Sequence, residues 1–385
     1  MKSIMKRIIS IVIVTVLLLS VSLLAACALA SAENDLFKDV QPLPAPIELK
    51  ISTIIGSEDG LIIYLIDKMG GFDKVGIKPK FMTFANGPIM NEAIPADAWD
   101  VATEGTGGVL SAVIGYGAYI VATSKTENFS MQIFAHIDSD IVRAGKNIKD
   151  SPELYGNAET WKGKEIYLPI GTSLHYTLAE GLGKFGLTDN DVKLTNMDVS
   201  TVNTLLRAGR EQIIGGLWNV FTYETDLKDK FGYVPVMKAS DVCGDMVCSL
   251  VVHPKSYNDP KKRVAIKKFV ELFFKTMDWV NTGENKDIAA HFYTEWNDSV
   301  GAKSSYESNK IIVDNCKYFS LKESYDTFNK KSADGKMTVA EEFNYKPLMF
   351  FISKGKYKPQ DAQKLLDGYF KSDIINELYT ESQKK

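Results

Sequence analysis

Five points along the chain place side chains able to hold a small polar solute where a strand-like run gives way to a helix-like one. Ser57-Glu58-Asp59 follows the first such run, Asn86-Gly87 the second, and Glu104-Gly105-Thr106-Gly107 the third. Thr172-Ser173, with His175 and Tyr176 close behind, opens a later helix, and Trp218-Asn219 closes a later strand. In open α/β sheets, solutes collect beyond the carboxyl ends of strands. Backbone N–H groups at helix starts bind anions there without a basic side chain. The hydroxyl and N–H groups at Ser57, Thr106, Thr172 and Ser173 suit a sulfonate or carboxylate. Asn219 offers both donor and acceptor, and Trp218 a flat face that could stack on a solute or close over it. Each also has a plainer reading. Ser and Thr ahead of helices are common caps, acids there offset the helix dipole, His175 could be a structural hydrogen-bonder, and Trp218 could be core.

The same residue types assemble no catalyst, and no cofactor or metal is expected. His136, His175, His253 and His291 form no HExxH motif, no His–carboxylate metal spacing and no nucleophile elbow. Cys243, Cys248 and His253 match no common zinc pattern. A Cys243–Cys248 disulfide needs a turn at Gly244-Asp245; an extended strand would aim the sulfurs at opposite faces and leave free thiols. Both readings stand.

The elements that must position these groups alternate along the chain. Strands are expected at Ile47–Ile54, Ile77–Phe84, Asp100–Thr103 and Tyr119–Thr123. Helices are expected over Leu61–Met69 (closed by Gly70-Gly71), 89–95 and 109–115. A second block follows, with strands at Met131–His136, Lys164–Pro169, Val192–Met197, Ile213–Trp218, Val234–Met237 and Met246–Val252. Its helices start at Gly171 and Thr201. From Asn258 onward the pattern turns to amphipathic helices near 259–281, 286–296, 304–317, 336–352 and 358–382. The fold class is α/β, with mostly parallel sheets and a helical C-terminal tail. The 385 residues, 45% hydrophobic and 24% charged, exclude a disordered or disulfide-stapled chain and are enough for two lobes. A net charge of −3 with no basic block beyond the N-terminus disfavours nucleic-acid binding.

Residues 1–26 read as a secretory signal, with Lys2, Lys6 and Arg7 ahead of an apolar run to Ala26. Leu24-Ala25-Ala26-Cys27 resembles a bacterial lipobox. This implies cleavage before Cys27, its lipidation, and anchoring on the extracytoplasmic face of the cell membrane. Removing 26 of the 385 residues leaves 359 and takes the formal charge from −3 to −6. Residues 27–46, ending Gln41-Pro42-Leu43-Pro44-Ala45-Pro46, read as a lipidated tether.

Two stretches carry a wider resemblance. One runs from Ile51 to Asp100-Val101-Ala102 and includes Gly70-Gly71-Phe72-Asp73-Lys74-Val75-Gly76-Ile77 and Phe84-Ala85-Asn86-Gly87. The other joins Gly163-Lys164-Glu165-Ile166-Tyr167-Leu168-Pro169, Thr172-Ser173-Leu174-His175-Tyr176, Leu206-Arg207-Ala208-Gly209 and Gly216-Leu217-Trp218. Together they resemble the taurine, aliphatic-sulfonate and nitrate solute-binding proteins of ABC importers, relatives of thiamine-pyrimidine binders. The resemblance implies a two-lobed periplasmic-binding-protein-like fold of type II. Lobe one would be 47–126 plus 250–385, lobe two 127–249, with a solute in the cleft between them and a membrane permease as partner. A monomer is expected.

No arginine falls at a cleft turn, whereas Glu58, Asp59, Glu104 and Asp245 are candidates to surround it. The solute is therefore expected to carry a positive amino end, as an amino acid or another zwitterion does. The taurine branch tends to carry acids at positions matching Phe129-Ser130-Met131 and Met246-Val247-Cys248, and this chain has none there. An aromatic precursor such as a thiamine pyrimidine or flavin is the alternative solute, with Tyr64, Phe84, Tyr176, Trp218 and Phe221 as stacking faces. A surface sensor without transport is the alternative role.

Overall fold

β-branched and aromatic runs that alternate with capped helices leave little freedom in how the chain pairs its strands. In the computed structural model, which describes residues 36–209, 213–218 and 224–384, they form two five-stranded sheets. The first contains β1 (Ile47–Ile54), β2 (Ile77–Phe84), β3 (Val101–Glu104), β4 (Tyr119–Thr126) and β10 (Val247–Val252), in the order β2-β1-β3-β10-β4. The second contains β5 (Gln132–His136), β6 (Glu165–Leu168), β7 (Lys193–Asn196), β8 (Ile214–Leu217) and β9 (Tyr233–Lys238), in the order β7-β6-β8-β5-β9. Each sheet has three parallel strands and then one antiparallel strand, β10 or β5, beside its fourth neighbour. The odd strand is in each case the first laid down after the chain changes lobe. The crossings are 127–131 and 239–246, so the boundary expected at residue 250 falls inside β10.

Among the described residues, the helices of nine residues or more are α1 (Glu58–Lys68), α2 (Ser173–Gly183), α3 (Val199–Ala208), α4 (Pro260–Val280), α5 (Asn285–Ser299), α6 (Tyr306–Asn315), α7 (Leu321–Asn329), α8 (Val339–Ser353) and α9 (Asp373–Ser382). α7 was not expected, nor was the short helix Glu224–Phe231; the single helix expected over 358–382 is two, Asp361–Leu366 and α9. The helix expected at 109–115 starts earlier, as an α-turn over Thr106–Leu110 that widens to a π-helix over Ser111–Gly115. Residues 36–46 are not a free tether end, because Phe37, Val40 and Leu43 are buried in the first lobe.

The tail builds onto lobe one. α4 buries Phe269, Phe273 and Phe274 beneath β1 and α1, and α5 locks α1 by placing Trp296 against Gly60. α9 is pinned to α4 by Arg263 with Asp373 and Glu377, and by Lys267 with Glu377 and Glu381. α8 reaches further, touching both the Thr106–Leu110 turn and α2 of lobe two. There the Phe350 ring lies 5.3 Å from that of Tyr176, and Lys356 Nζ donates to the Gly171 carbonyl at 3.0 Å. Among the described residues no helix is long and apolar enough to cross a membrane.

Candidate functional site

The carboxyl ends of β1, β2 and β3, the first crossing segment and the start of α2 converge on one cavity of about 650 Å3, part of it open to solvent. Local capping holds its rim. Ser57 Oγ accepts from Gly60 N at 3.1 Å and starts α1, so Glu58 and Asp59 are carried into the wall. Asn86 Oδ1 accepts from Ile89 N at 3.1 Å and starts the helix Gly87–Asn91. Thr53 Oγ1 ties this rim to β3 through Thr103 Oγ1 at 2.7 Å.

Four carboxylates and one ammonium line the cavity, and no arginine does so among the described residues. Lys125 Nζ pairs with Glu58 Oε2 at 3.1 Å, both side chains fully buried. Glu58 Oε1 and Asp59 Oδ1 have no hydrogen-bond partner, although Asp59 Oδ2 accepts a long bond of 3.4 Å from Ser124. Burial pushes the Asp59 carboxyl up to about 6 against the pull of Lys125. Glu104 is more extreme. Its Oε2 accepts from Asn91 Nδ2 at 3.0 Å, its Oε1 has no partner, and burial lifts its pKa to about 8. The carboxylate lies so close to Gly108 that a Cβ there would fall 2.3 Å from Oε2, which only glycine avoids. Such a group is mostly protonated at neutral pH, and a cation beside Oε1 would favour its ionised form.

Glu127 is the fourth acid. Its Oε1 accepts from Thr106 N at 2.8 Å and from Ser173 Oγ at 2.9 Å, joining the two lobes from the crossing between them. Burial raises the pKa of the adjacent Cys248 thiol well above its usual value. Cys243, Cys248 and Cys316 are all free thiols, which resolves the alternative left open by the sequence. No group of three or more His, Cys, Asp and Glu among the described residues is arranged for a metal ion.

Of the residues singled out by sequence, Ser57, Glu58, Asp59, Asn86, Glu104, Thr172, Ser173 and Trp218 line this cavity. Three are placed elsewhere. Thr106 is buried behind the wall, its N–H given to Glu127 and its Oγ1 to the Val247 carbonyl. His175 accepts from Gly171 N at Nδ1 and meets Asp189 at Nε2, 3.0 Å away, so both nitrogens serve the loops around α2. Asp245 is exposed on the second crossing, which turns it away from the wall. Asn219 and Cys27 lie outside the described residues. Sequence reasoning missed Lys125 and Glu127. The available signal was a lysine near the end of the buried strand Tyr119–Thr126 and a glutamate directly after it, just before a change of lobe.

No family model matches the chain. It is 26% identical over 271 residues to a candidate ABC transporter periplasmic binding protein of Brachyspira hyodysenteriae, covering 70% of this chain and 75% of that one. A candidate binding protein of Brucella abortus is also 26% identical, over 62% of this chain and 66% of its own length. Among solved structures, the periplasmic aliphatic sulphonate binding protein of Escherichia coli superposes with a TM-score of 0.61 at 13% identity. That match covers 83% of this chain and 92% of the other. The periplasmic nitrate-binding protein of Synechocystis gives 0.62 at 12% identity, covering 87% and 89%. The chain therefore has the periplasmic-binding-protein fold, two α/β lobes with a cavity where they meet.

Proposed function

We propose that this chain is the extracytoplasmic solute-binding component of an ABC importer. It captures a small polar organic solute by lobe closure and hands it to a membrane permease, while a lipid on Cys27 keeps it at the membrane. The observation that carries this reading is the cavity between the lobes, walled by strand ends of lobe one, the first crossing and the start of α2. A solute touching both walls stabilises the closed form, and closure is the signal a permease can read. The similarity to a candidate ABC transporter periplasmic binding protein supports the role.

The solute carries a positive amino end. Glu104 Oε1, Glu58 Oε1 and Asp59 Oδ1 are buried acceptors without partners, and the one lysine in the wall among the described residues is already paired. An ammonium group would satisfy them; nitrate or a simple sulfonate would not. Trp218 supplies an apolar face to the cavity. Tyr64, Phe84 and Tyr176 are not part of its wall, and Phe221 lies outside the described residues, so among the described residues the aromatic-precursor reading keeps one stacking face. Mass spectrometry of solute co-purifying with the protein, followed by calorimetry with taurine, amino acids, alkanesulfonates and nitrate, tests both statements. Preference for nitrate or an amine-free sulfonate would overturn the assignment of charge.

A further inference from the structure

The carboxylate of Glu127 sits where two lobes offer hydrogen-bond donors to a single point. From lobe one comes the Thr106 N–H at 2.8 Å, and from lobe two the Ser173 hydroxyl at 2.9 Å, both to Oε1. The remaining oxygen, Oε2, has the Cys248 thiol at 3.8 Å. Space for the carboxylate is made by Gly105, where a Cβ would stand 2.1 Å from Oε2, so any larger residue would collide with it. Glu127 and Ser173 are both buried. Two donors from opposite lobes converging on one negative oxygen are what an anionic solute group would need in order to bridge the lobes.

We infer that Glu127 is an intramolecular anion. It fills the seat between Thr106 and Ser173, ties the lobes from the crossing segment, and closes that seat to the sulfonate or carboxylate of a solute. This rests on the cavity being the solute site. It makes the unpartnered acids of the lobe-one wall, Glu104 above all, the part of the cavity left to recognise a solute. Specificity for cations then has two sources. Acceptors attract an ammonium group, and a fixed carboxylate both occupies the anion donors and repels a second anion.

The test is calorimetry of the wild-type protein, Glu127→Ala and Ser173→Ala with methanesulfonate, alongside small-angle scattering of each without added solute. Glu127→Ala is expected to bind methanesulfonate at least tenfold more tightly than wild type, because it frees both donors and deletes a like charge. Ser173→Ala keeps the charge and is expected to gain nothing. Both variants are expected to show a larger radius of gyration than wild type, as the lobes part. Equal methanesulfonate affinity in Glu127→Ala and wild type overturns the filled seat. Unchanged radii in both variants overturn the tie, and Ser173→Ala alone decides that point if Glu127→Ala does not fold. Should wild type bind no amine-bearing solute, the positive charge assigned to the solute fails, yet the scattering comparison still reports on Glu127.

Discussion

Replacing Glu104 by Gln should shift the stability difference from wild type in the variant's favour as pH rises. Glu104 is 1% exposed, and burial raises its pKa from 4.5 to about 8. Between those values the unfolded chain releases the proton and the folded one keeps it, so stability falls as pH rises through that window. At 1.36 kcal/mol per unit, the loss is about 1 kcal/mol at pH 5, about 3 kcal/mol at pH 7 and about 4 kcal/mol at pH 8. Gln cannot ionise in either state and removes this penalty. Its side-chain oxygen can still accept from Asn91 Nδ2, which lies 3.0 Å from Glu104 Oε2. Its amide N–H groups would then meet the place where Oε1 now lacks a partner, a cost of about 1–3 kcal/mol that does not depend on pH. The informative quantity is therefore the change in the gap between the two proteins. With an unfolding entropy of about 2.1 cal/mol/K per residue over roughly 350 residues, about 3 kcal/mol corresponds to about 4 °C in Tm. Scanning calorimetry of wild type and Glu104→Gln at pH 5, 7 and 8 should show the difference in Tm move in favour of the variant by about that much. A difference that stays constant from pH 5 to pH 8 would refute the reasoning.

The same carboxyl links solute binding to protons. If an ammonium group seats at Oε1, binding at pH 7 should release a proton and affinity should rise up to about tenfold per unit below pH 8; calorimetry in buffers of different ionisation enthalpy would reveal a lack of proton release. Trp218→Ala should weaken solute binding by about 1 kcal/mol and leave the folded state intact, since Trp218 lines the cavity and is only partly buried. Unchanged affinity would remove it from the site. Lys125→Met leaves Glu58 buried without its cation and should cost about 3–5 kcal/mol in urea unfolding. Adding Glu58→Gln should recover much of that loss, and a double variant no better than the single one would argue against the pairing.

How much of this could be read from the sequence depends on how local each determinant is. The strand–cap–helix run from β1 through Ser57 into α1 needs only neighbours, and its elements lie within a few residues of expectation. α7 had an equally local mark, Ser320-Leu321-Lys322-Glu323, whose side chains and backbone close a capping box. Reading only long amphipathic stripes passes over a nine-residue helix that buries little more than Ser324, Thr327 and Phe328. The packing of Phe37, Val40 and Leu43 is a different case. A proline-rich segment reads as a tether, and only the apolar surface it covers on lobe one makes it part of the core.

Charge shows where local reading stops. A count of acids and bases near the expected turns favours a cationic solute, but it cannot say which acids are already spent. Lys125 stands on β4, whose neighbour β10 arrives more than a hundred residues later, and only that pairing and the fold of α1 bring Glu58 to it. Glu127 is satisfied by donors from two lobes whose approach no sequence window contains. Once those two pairings are set aside, the acceptors that remain are fewer than the carboxylates present, and they lie together on the lobe-one wall at Glu58, Asp59 and Glu104. The acidity that bears on the solute is thus a property of which oxygens the fold leaves without donors. It follows that Glu127 and Glu104, equal in formal charge, should respond oppositely to neutralisation. Neutralising Glu127 should open the cavity to anions, and neutralising Glu104 should cost it its cation.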